Sequence, residues 1–260
     1  MDMTNRRFSP TLLLALLSLA LGGCAPRSIS APSTPAPTPP LTAIANITPH
    51  HLIDFESVTV DGTPLEYAVT VPESYDPAKT YRVLLALPPG GQDKALTGQV
   101  MERLWAAEAR KRSWIVLSPI APSGVLFFEG SESLIPGFLQ QVSDRYRPEG
   151  GRYHLAGISN GGISAFRIIG QHPALFRSLT VLPGFPFSKD DEANLSKLKG
   201  IPIVMYAGAQ DTSWVEAERA AAAKLEQIGA HVTVNIVPNE GHVITSLTGA
   251  MLFDVLSGYP

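Results

Sequence analysis

Short, unbroken apolar runs that each end in a glycine- or proline-bearing loop constrain this chain more than any other feature. Residues 83–87 (VLLAL), 114–117 (WIVL), 179–182 (LTVL) and 203–206 (IVMY) lack the polar alternation of a strand with one wet face. A run that is apolar on both faces suits a strand covered by helices on both sides, as in a parallel sheet. Between the runs the spacing turns helical. Residues 214–228 show it best: Ser213 and Glu216 suggest a capping box, Ala217, Ala221, Leu225 and Ile228 form one stripe, and Gly229 follows as a stop. Two further strands are expected ahead of the runs, around residues 58–60 and 65–71. The expected fold class is therefore α/β: a doubly wound, mostly parallel sheet with helices on both faces, occupying residues 53–260 as one domain without internal repeats.

The chemistry enters at Gly157-Ile158-Ser159-Asn160-Gly161, where an apolar strand over residues 152–156 gives way to a helix from residue 162. A serine between two glycines at such a junction can present its hydroxyl at the tip of a sharp turn, because residues without Cβ let neighbouring elements pack close. A serine hydroxyl is a weak nucleophile unless a base takes its proton and an acid orients the base. Asp211 lies in the loop after the run 203–206, and His242 in the loop after the alternating run 232–237. In isolation Asp211 could simply initiate a turn and His242 could be a surface residue. Residue type, loop position and the chain order Ser159, Asp211, His242 together favour a catalytic reading. Asp190, Asp191 and Glu240 are the alternative acids, and Glu240 is the least suited because it shares the loop of His242.

A tetrahedral intermediate needs two N–H donors for its oxyanion. The backbone N–H of Asn160, at a helix entrance, is one candidate. The other should come from the loop after residues 83–87, which reads Pro88-Pro89-Gly90-Gly91-Gln92. Proline has no N–H, which leaves Gly90 or Gly91, with Gln92 third.

Residues 67–92, the elbow around Ser159, the stretch from Gly208 to Asp211, and Gly241-His242 together resemble an α/β-hydrolase. Within that superfamily the chain is similar to the serine esterases grouped with poly(3-hydroxybutyrate) depolymerases and feruloyl esterases. Residues 71–77 (VPESYDP), followed by a strand and a glycine-rich loop, are similar to their opening. The resemblance covers residues 53–258. It implies Ser159 as nucleophile, His242 as base, Asp211 as orienting acid, and hydrolysis of a carboxylic ester with no cofactor and no metal. Those families usually carry His-Gly where this chain has Pro88-Pro89. Residues 183–200 leave no room for a lid, so an open site is expected, suited to small-molecule or polymer-borne esters. Phe127, Phe128, Phe185, Phe187 and Trp214 are candidate rim residues. Two other readings stay open: a peptidase on the same fold, and a binding lipoprotein that keeps the fold without turnover.

The N-terminal region speaks to location. Arg6 and Arg7 precede an apolar run over residues 12–21, which is too short to span a bilayer as a mature helix and reads as an export signal. Leu21-Gly22-Gly23-Cys24 resembles a bacterial lipobox, with residues 1–23 removed and Cys24, the only cysteine, lipidated. Residues 24–52 then form a tether rich in proline, serine and threonine. Ala25 in place of aspartate points to the outer membrane, with the domain facing the periplasm. Membrane attachment would run through the lipid, which must supply more than one chain. Loss of Asp2, Arg6 and Arg7 takes the formal charge from −3 to −4, which argues against nucleic acid as partner.

Overall fold

The computed structural model describes residues 51–259. The expected signal segment and Cys24 lie outside the described residues, as does all but the end of the tether. Among the described residues no helix is long and apolar enough to cross a membrane.

Strands β1 (Asp54–Val60) and β2 (Thr63–Thr70) pair as an antiparallel hairpin. Asp61 and Gly62 both have positive φ, the conformation that a two-residue hairpin turn needs and that Asp-Gly adopts readily. Strand β2 then pairs antiparallel with β4 (Trp114–Pro119). From β4 onward every pair is parallel: β3 (Arg82–Leu87), β5 (Tyr153–Gly157), β6 (Phe176–Val181), β7 (Ile203–Gly208) and β8 (Val232–Val237). The eight-stranded order is β1-β2-β4-β3-β5-β6-β7-β8.

The apolar runs are buried on both faces, as a parallel interior requires. Along β3, Val83, Leu85 and Leu87 join one core with Phe138 of α3 (Ile135–Tyr146), Phe166 of α4 (Asn160–Gln171) and Leu225 of α6 (Thr212–Gln227). The alternate residues Leu84 and Ala86 face a second core with Trp105 and with Phe253 of α7 (Gly249–Ser257). Truncating a fully buried leucine such as Leu85 to alanine should cost about 2–5 kcal/mol. Between β6 and β7 the chain forms only α5 (Lys189–Ala193) and a five-residue 3-10 segment, Asn194–Leu198, so this interval carries no sizeable lid.

Three features depart from the sequence expectation. Helix α6 begins at Thr212 with Asp211 in the N-cap position, and the Ser213/Glu216 capping box does not form. Asp211 does not cap the helix with its side chain because its carboxylate is bound by His242. The buried face of α6 runs through Val215, Glu218, Ala221, Ala222 and Leu225, while Ala217 and Ile228 are only half-buried. Second, α1 (Lys94–Val100) continues into a π-helical segment, Met101–Trp105, and then into α2 (Ala106–Lys111). Such segments are frequent at functional sites. Third, the aromatic ring of Phe127 is fully buried in the core and is no rim residue.

Candidate active site

Strand β5 ends at Gly157 and α4 starts at Asn160, so Ser159 must reverse the chain in one step. It does so at φ 55° and ψ −119°, a region that non-glycine residues rarely occupy and that costs about 1–3 kcal/mol. Neighbouring backbone holds it there. The Ser159 N–H donates to the Pro183 carbonyl at 2.9 Å, and the Ile158 N–H to the Leu87 carbonyl at 3.2 Å. The glycines permit this crowding: a Cβ on Gly157 would meet the Gly161 carbonyl oxygen at 2.1 Å, and one on Gly161 would meet the Leu87 carbonyl oxygen at 2.2 Å.

The loops after β7 and β8 carry the other two residues. A Cβ on Gly208 would lie 2.1 Å from the Gly241 carbonyl oxygen, so only glycine lets these loops touch, and the Gln210 N–H donates to the Glu240 carbonyl at 2.9 Å. Here the structure brings together the three side chains expected from the sequence. His242 Nδ1 lies 2.6 Å from Asp211 Oδ2, and its Nε2 lies 2.8 Å from Ser159 Oγ. A carboxylate only accepts, so Nδ1 carries the proton of the neutral ring and Nε2 is left to accept from the serine hydroxyl. The site is open: the His242 side chain is 41% exposed and that of Asp211 14%.

The alternative acids have other partners. Asp191 is buried and salt-bridged to Arg167 at 2.8 Å, with Ser188 completing a capping box on α5. Its desolvation by burial is outweighed by these hydrogen bonds, which hold the carboxyl below its ordinary value. Asp190 lies in the first turn of the same short helix. Glu240 accepts from the Thr245 and Ser246 N–H groups at 3.0 and 2.8 Å, which lowers its pKa to about 2 and braces the loop that carries His242.

The β3–α1 loop sits against the elbow. Gly90 turns at φ +58° and lines the same cavity wall as Ser159 and His242, whereas Gly91 does not line it. The N–H groups of Gly90 and Gly91 make no backbone hydrogen bond among the described residues. The Gln92 N–H, the third candidate donor, is bound to the Pro89 carbonyl at 3.0 Å and is therefore unavailable. Asn160 contributes more than its backbone: its Nδ2 donates to the Gly90 carbonyl at 3.0 Å. In a trans peptide the N–H of Gly91 points away from that carbonyl, so the Asn160 contact directs the Gly91 N–H away from its side chain. The fully buried Gln92 side chain donates to Ser164 Oγ at 3.0 Å and accepts from the Phe127 N–H at 2.8 Å, fixing the loop to α4. Nothing in the sequence marked Gln92 as a staple, because its partners are remote along the chain.

Beside the serine lies an apolar cavity of about 430 Å³. An aromatic row outside the cavity lining also begins at His242. Trp214 meets the imidazole edge-to-face at 4.8 Å, Phe185 meets Trp214 at 4.9 Å, and Phe187, 60% exposed, contacts Phe185 and Phe128. Arg167 steadies that row, since it binds both the Phe128 carbonyl and Ser188, which follows Phe187. A larger depression of about 560 Å³, lined by Glu73, Ser74 and Arg110, shares no residue with this site. Among the described residues no group of His, Cys, Asp and Glu side chains is placed to hold a metal ion.

No family model and no curated protein matches the sequence. Solved structures do share its architecture. A Bacteroides ovatus protein assigned as a dipeptidyl aminopeptidase IV superposes with TM-score 0.65 at 16% identity, over 80% of this chain and 35% of that one. A thermostable esterase gives 0.60 at 21%, over 72% and 54%. The feruloyl esterase module from Clostridium thermocellum, complexed with sinapinate, gives 0.58 at 12%, over 73% and 81%. The chain thus spans about a third of the length of the first and about half of the second. At these identities the likeness concerns the fold, and the fold is that of the α/β-hydrolases.

Proposed function

We propose that this protein is a serine hydrolase that cleaves carboxylic esters through an acyl-enzyme. The observation that carries the reading is the hydrogen-bonded series Ser159, His242, Asp211, with its serine at the tip of a strained strand-to-helix turn. Ser159 Oγ attacks the ester carbonyl carbon as its proton passes to His242 Nε2, and Asp211 stabilises the resulting imidazolium. The carbonyl oxygen becomes an oxyanion facing the N–H groups of Asn160 and Gly90, each contributing a few kcal/mol. Collapse breaks the bond to the alcohol oxygen, which leaves with the proton held on Nε2. Water then repeats the sequence on the acyl-serine and releases the carboxylic acid. As drawn, the reaction needs neither metal nor cofactor.

Two of the three solved structures described above are esterases by name, which supports ester over amide hydrolysis here. The peptidase is a much longer chain. An exposed His242 and the absence of a lid in the described interval suit small-molecule or polymer-borne esters. The lipobox reading of Cys24 adds a location: a lipid anchor on the outer membrane, with the domain reaching into the periplasm on its tether.

The test is mutant kinetics on a simple aryl ester. Ser159→Ala and His242→Ala should each lower kcat by several orders of magnitude, and the double variant should be little worse than either, because the two act as a unit. Asp211→Asn should keep the geometry and still lose much of the rate, since the imidazole would take the wrong tautomer. Additive losses, or a damaging Asp190→Asn with a harmless Asp211→Asn, would overturn the assignment.

A further inference from the structure

The 430 Å³ cavity has a chemistry of its own. Leu96, Val100, Leu104, Leu182, Ile244 and Leu247 give it apolar walls, and Ser159 and His242 lie on its lining. At the roughly 30 Å³ that one water takes up in the liquid it has the volume of on the order of ten waters, enough for a short chain or a ring. Apart from the histidine of the series, one ionisable side chain lines it, and that is Arg103.

Arg103 belongs to the π-helical segment that interrupts the helix on this side of the site. Its Nη2 donates to the Ile244 carbonyl at 3.4 Å, so one end of the guanidinium rests on the facing wall. A guanidinium has five N–H donors, and one such contact leaves the rest of the fork available. Arginines further along are matched to carboxylates: Arg110 of α2 to Glu73, and Arg112, at the C-cap of α2, to Glu108 and Asp254. Among the described residues Arg103 makes no ion pair. Gln99 also lines the cavity but is neutral, so a lone cation on a mostly apolar lining favours a ligand with an apolar body and an anionic end.

We propose that Arg103 selects esters whose cavity-bound part carries a carboxylate at its far end. The inference rests on the ester hydrolase reading and adds the substrate class. The apolar stem packs between the leucines, the carbonyl carbon reaches Ser159, and the terminal carboxylate takes the guanidinium fork, which matches carboxylate geometry bidentately. The anion can belong to either half of the ester. Aryl half-esters of dicarboxylic acids place it on the acyl side, and acyl esters of ω-hydroxy acids place it on the alcohol side.

The experiment measures kcat/KM at low salt for both substrate types, each against a neutral analogue in which the terminal carboxylate is capped as its primary amide. The quantity read is the anionic-to-neutral ratio in the wild type, Arg103→Met and Arg103→Lys. The wild-type ratio should exceed unity in one arm. It should fall about ten- to a hundredfold in Arg103→Met, carried by KM, and be partly kept in Arg103→Lys. Raising the ionic strength should compress the wild-type ratio, because the group is exposed. A wild-type ratio at or below unity in both arms, or one unchanged in Arg103→Met, overturns the proposal; neutral-ester turnover that disappears in Ser159→Ala would leave the parent reading standing. If the folded wild type turns over no ester of either kind, the parent reading fails and this one with it.

Discussion

Glu218→Gln should change the pH dependence of stability by an amount that follows from its surroundings. Glu218 is fully buried on α6, its Oε1 accepts the Gly184 N–H at 2.9 Å, and its Oε2 has no partner. Desolvation by burial, joined by the nearby charge of Asp211, raises its pKa from 4.5 to about 8 against the pull of the Gly184 hydrogen bond. A carboxyl whose folded pKa is raised binds its proton more tightly in the native than in the unfolded chain. Its contribution is therefore fully present below pH 4.5 and is lost as pH rises towards about 8, at about 1.4 kcal/mol per pH unit between those values. Glutamine keeps an oxygen for the Gly184 N–H and cannot ionise. Denaturant unfolding at pH 5 and pH 8 isolates this effect, since the other titrating groups cancel in the difference between variant and wild type. The advantage of the variant over the wild type should be about 3–4 kcal/mol larger at pH 8 than at pH 5. Parallel stability profiles would refute the reasoning, and would mean that Glu218 ionises freely in the folded protein.

Other outcomes follow from particular contacts. Gly90→Ala places a Cβ 2.8 Å from Leu96 Cδ1 at φ +58°, so steady-state kinetics should show kcat down about 10²–10³-fold with a smaller change in KM if the Gly90 N–H binds the oxyanion. Asn160→Ala releases the Gly90 carbonyl and should lower kcat more modestly, about two- to tenfold. Arg167→Leu leaves the buried Asp191 without its partner and should cost about 3–5 kcal/mol in denaturant unfolding. Because the Asp191 pKa is held below its ordinary value, stability from this carboxylate is present above the unfolded value of 3.8 and is lost as pH falls through the lower folded value. Cys24→Ser should move the protein from the membrane to the soluble fraction with its specific activity intact; a variant that still partitions with membranes would contradict the lipid anchor.

The sequence was most legible where local geometry restricts residue choice. The elbow could be read from Gly157 and Gly161 because backbone oxygens stand where a Cβ would be, and the buried strands could be read because a parallel interior excludes polar residues from both faces. That Ser159, Asp211 and His242 would meet followed from their loop positions and chain order, and the structure brings them within hydrogen-bond distance. Long-range pairing was not legible. Whether β3 or β4 sits beside β5 depends on crossovers that no local pattern encodes, and the side-chain partners of Gln92 and Glu218, like the Arg167 partner of Asp191, lie at least 24 residues away from them. Ser213 and Glu216 offer a good capping box, yet α6 starts earlier because Asp211 occupies the N-cap while binding His242. The π-helical segment leaves no sequence signal, since its apolar spacing differs little from that of an ordinary helix over five residues. Phe127 and Phe187 illustrate the limit for aromatic residues: the same side chain type is buried in the core at one and 60% exposed beside the site at the other.

The most direct test of the central claim is covalent. A fluorophosphonate, which phosphonylates an activated serine with loss of fluoride, is added to the folded protein and the modified residue is located by peptide mass spectrometry. A single adduct on Ser159 is expected, absent in Ser159→Ala and strongly slowed in His242→Ala, with prior labelling abolishing ester turnover. An adduct on another residue, or full ester turnover by a protein labelled stoichiometrically at Ser159, would contradict it.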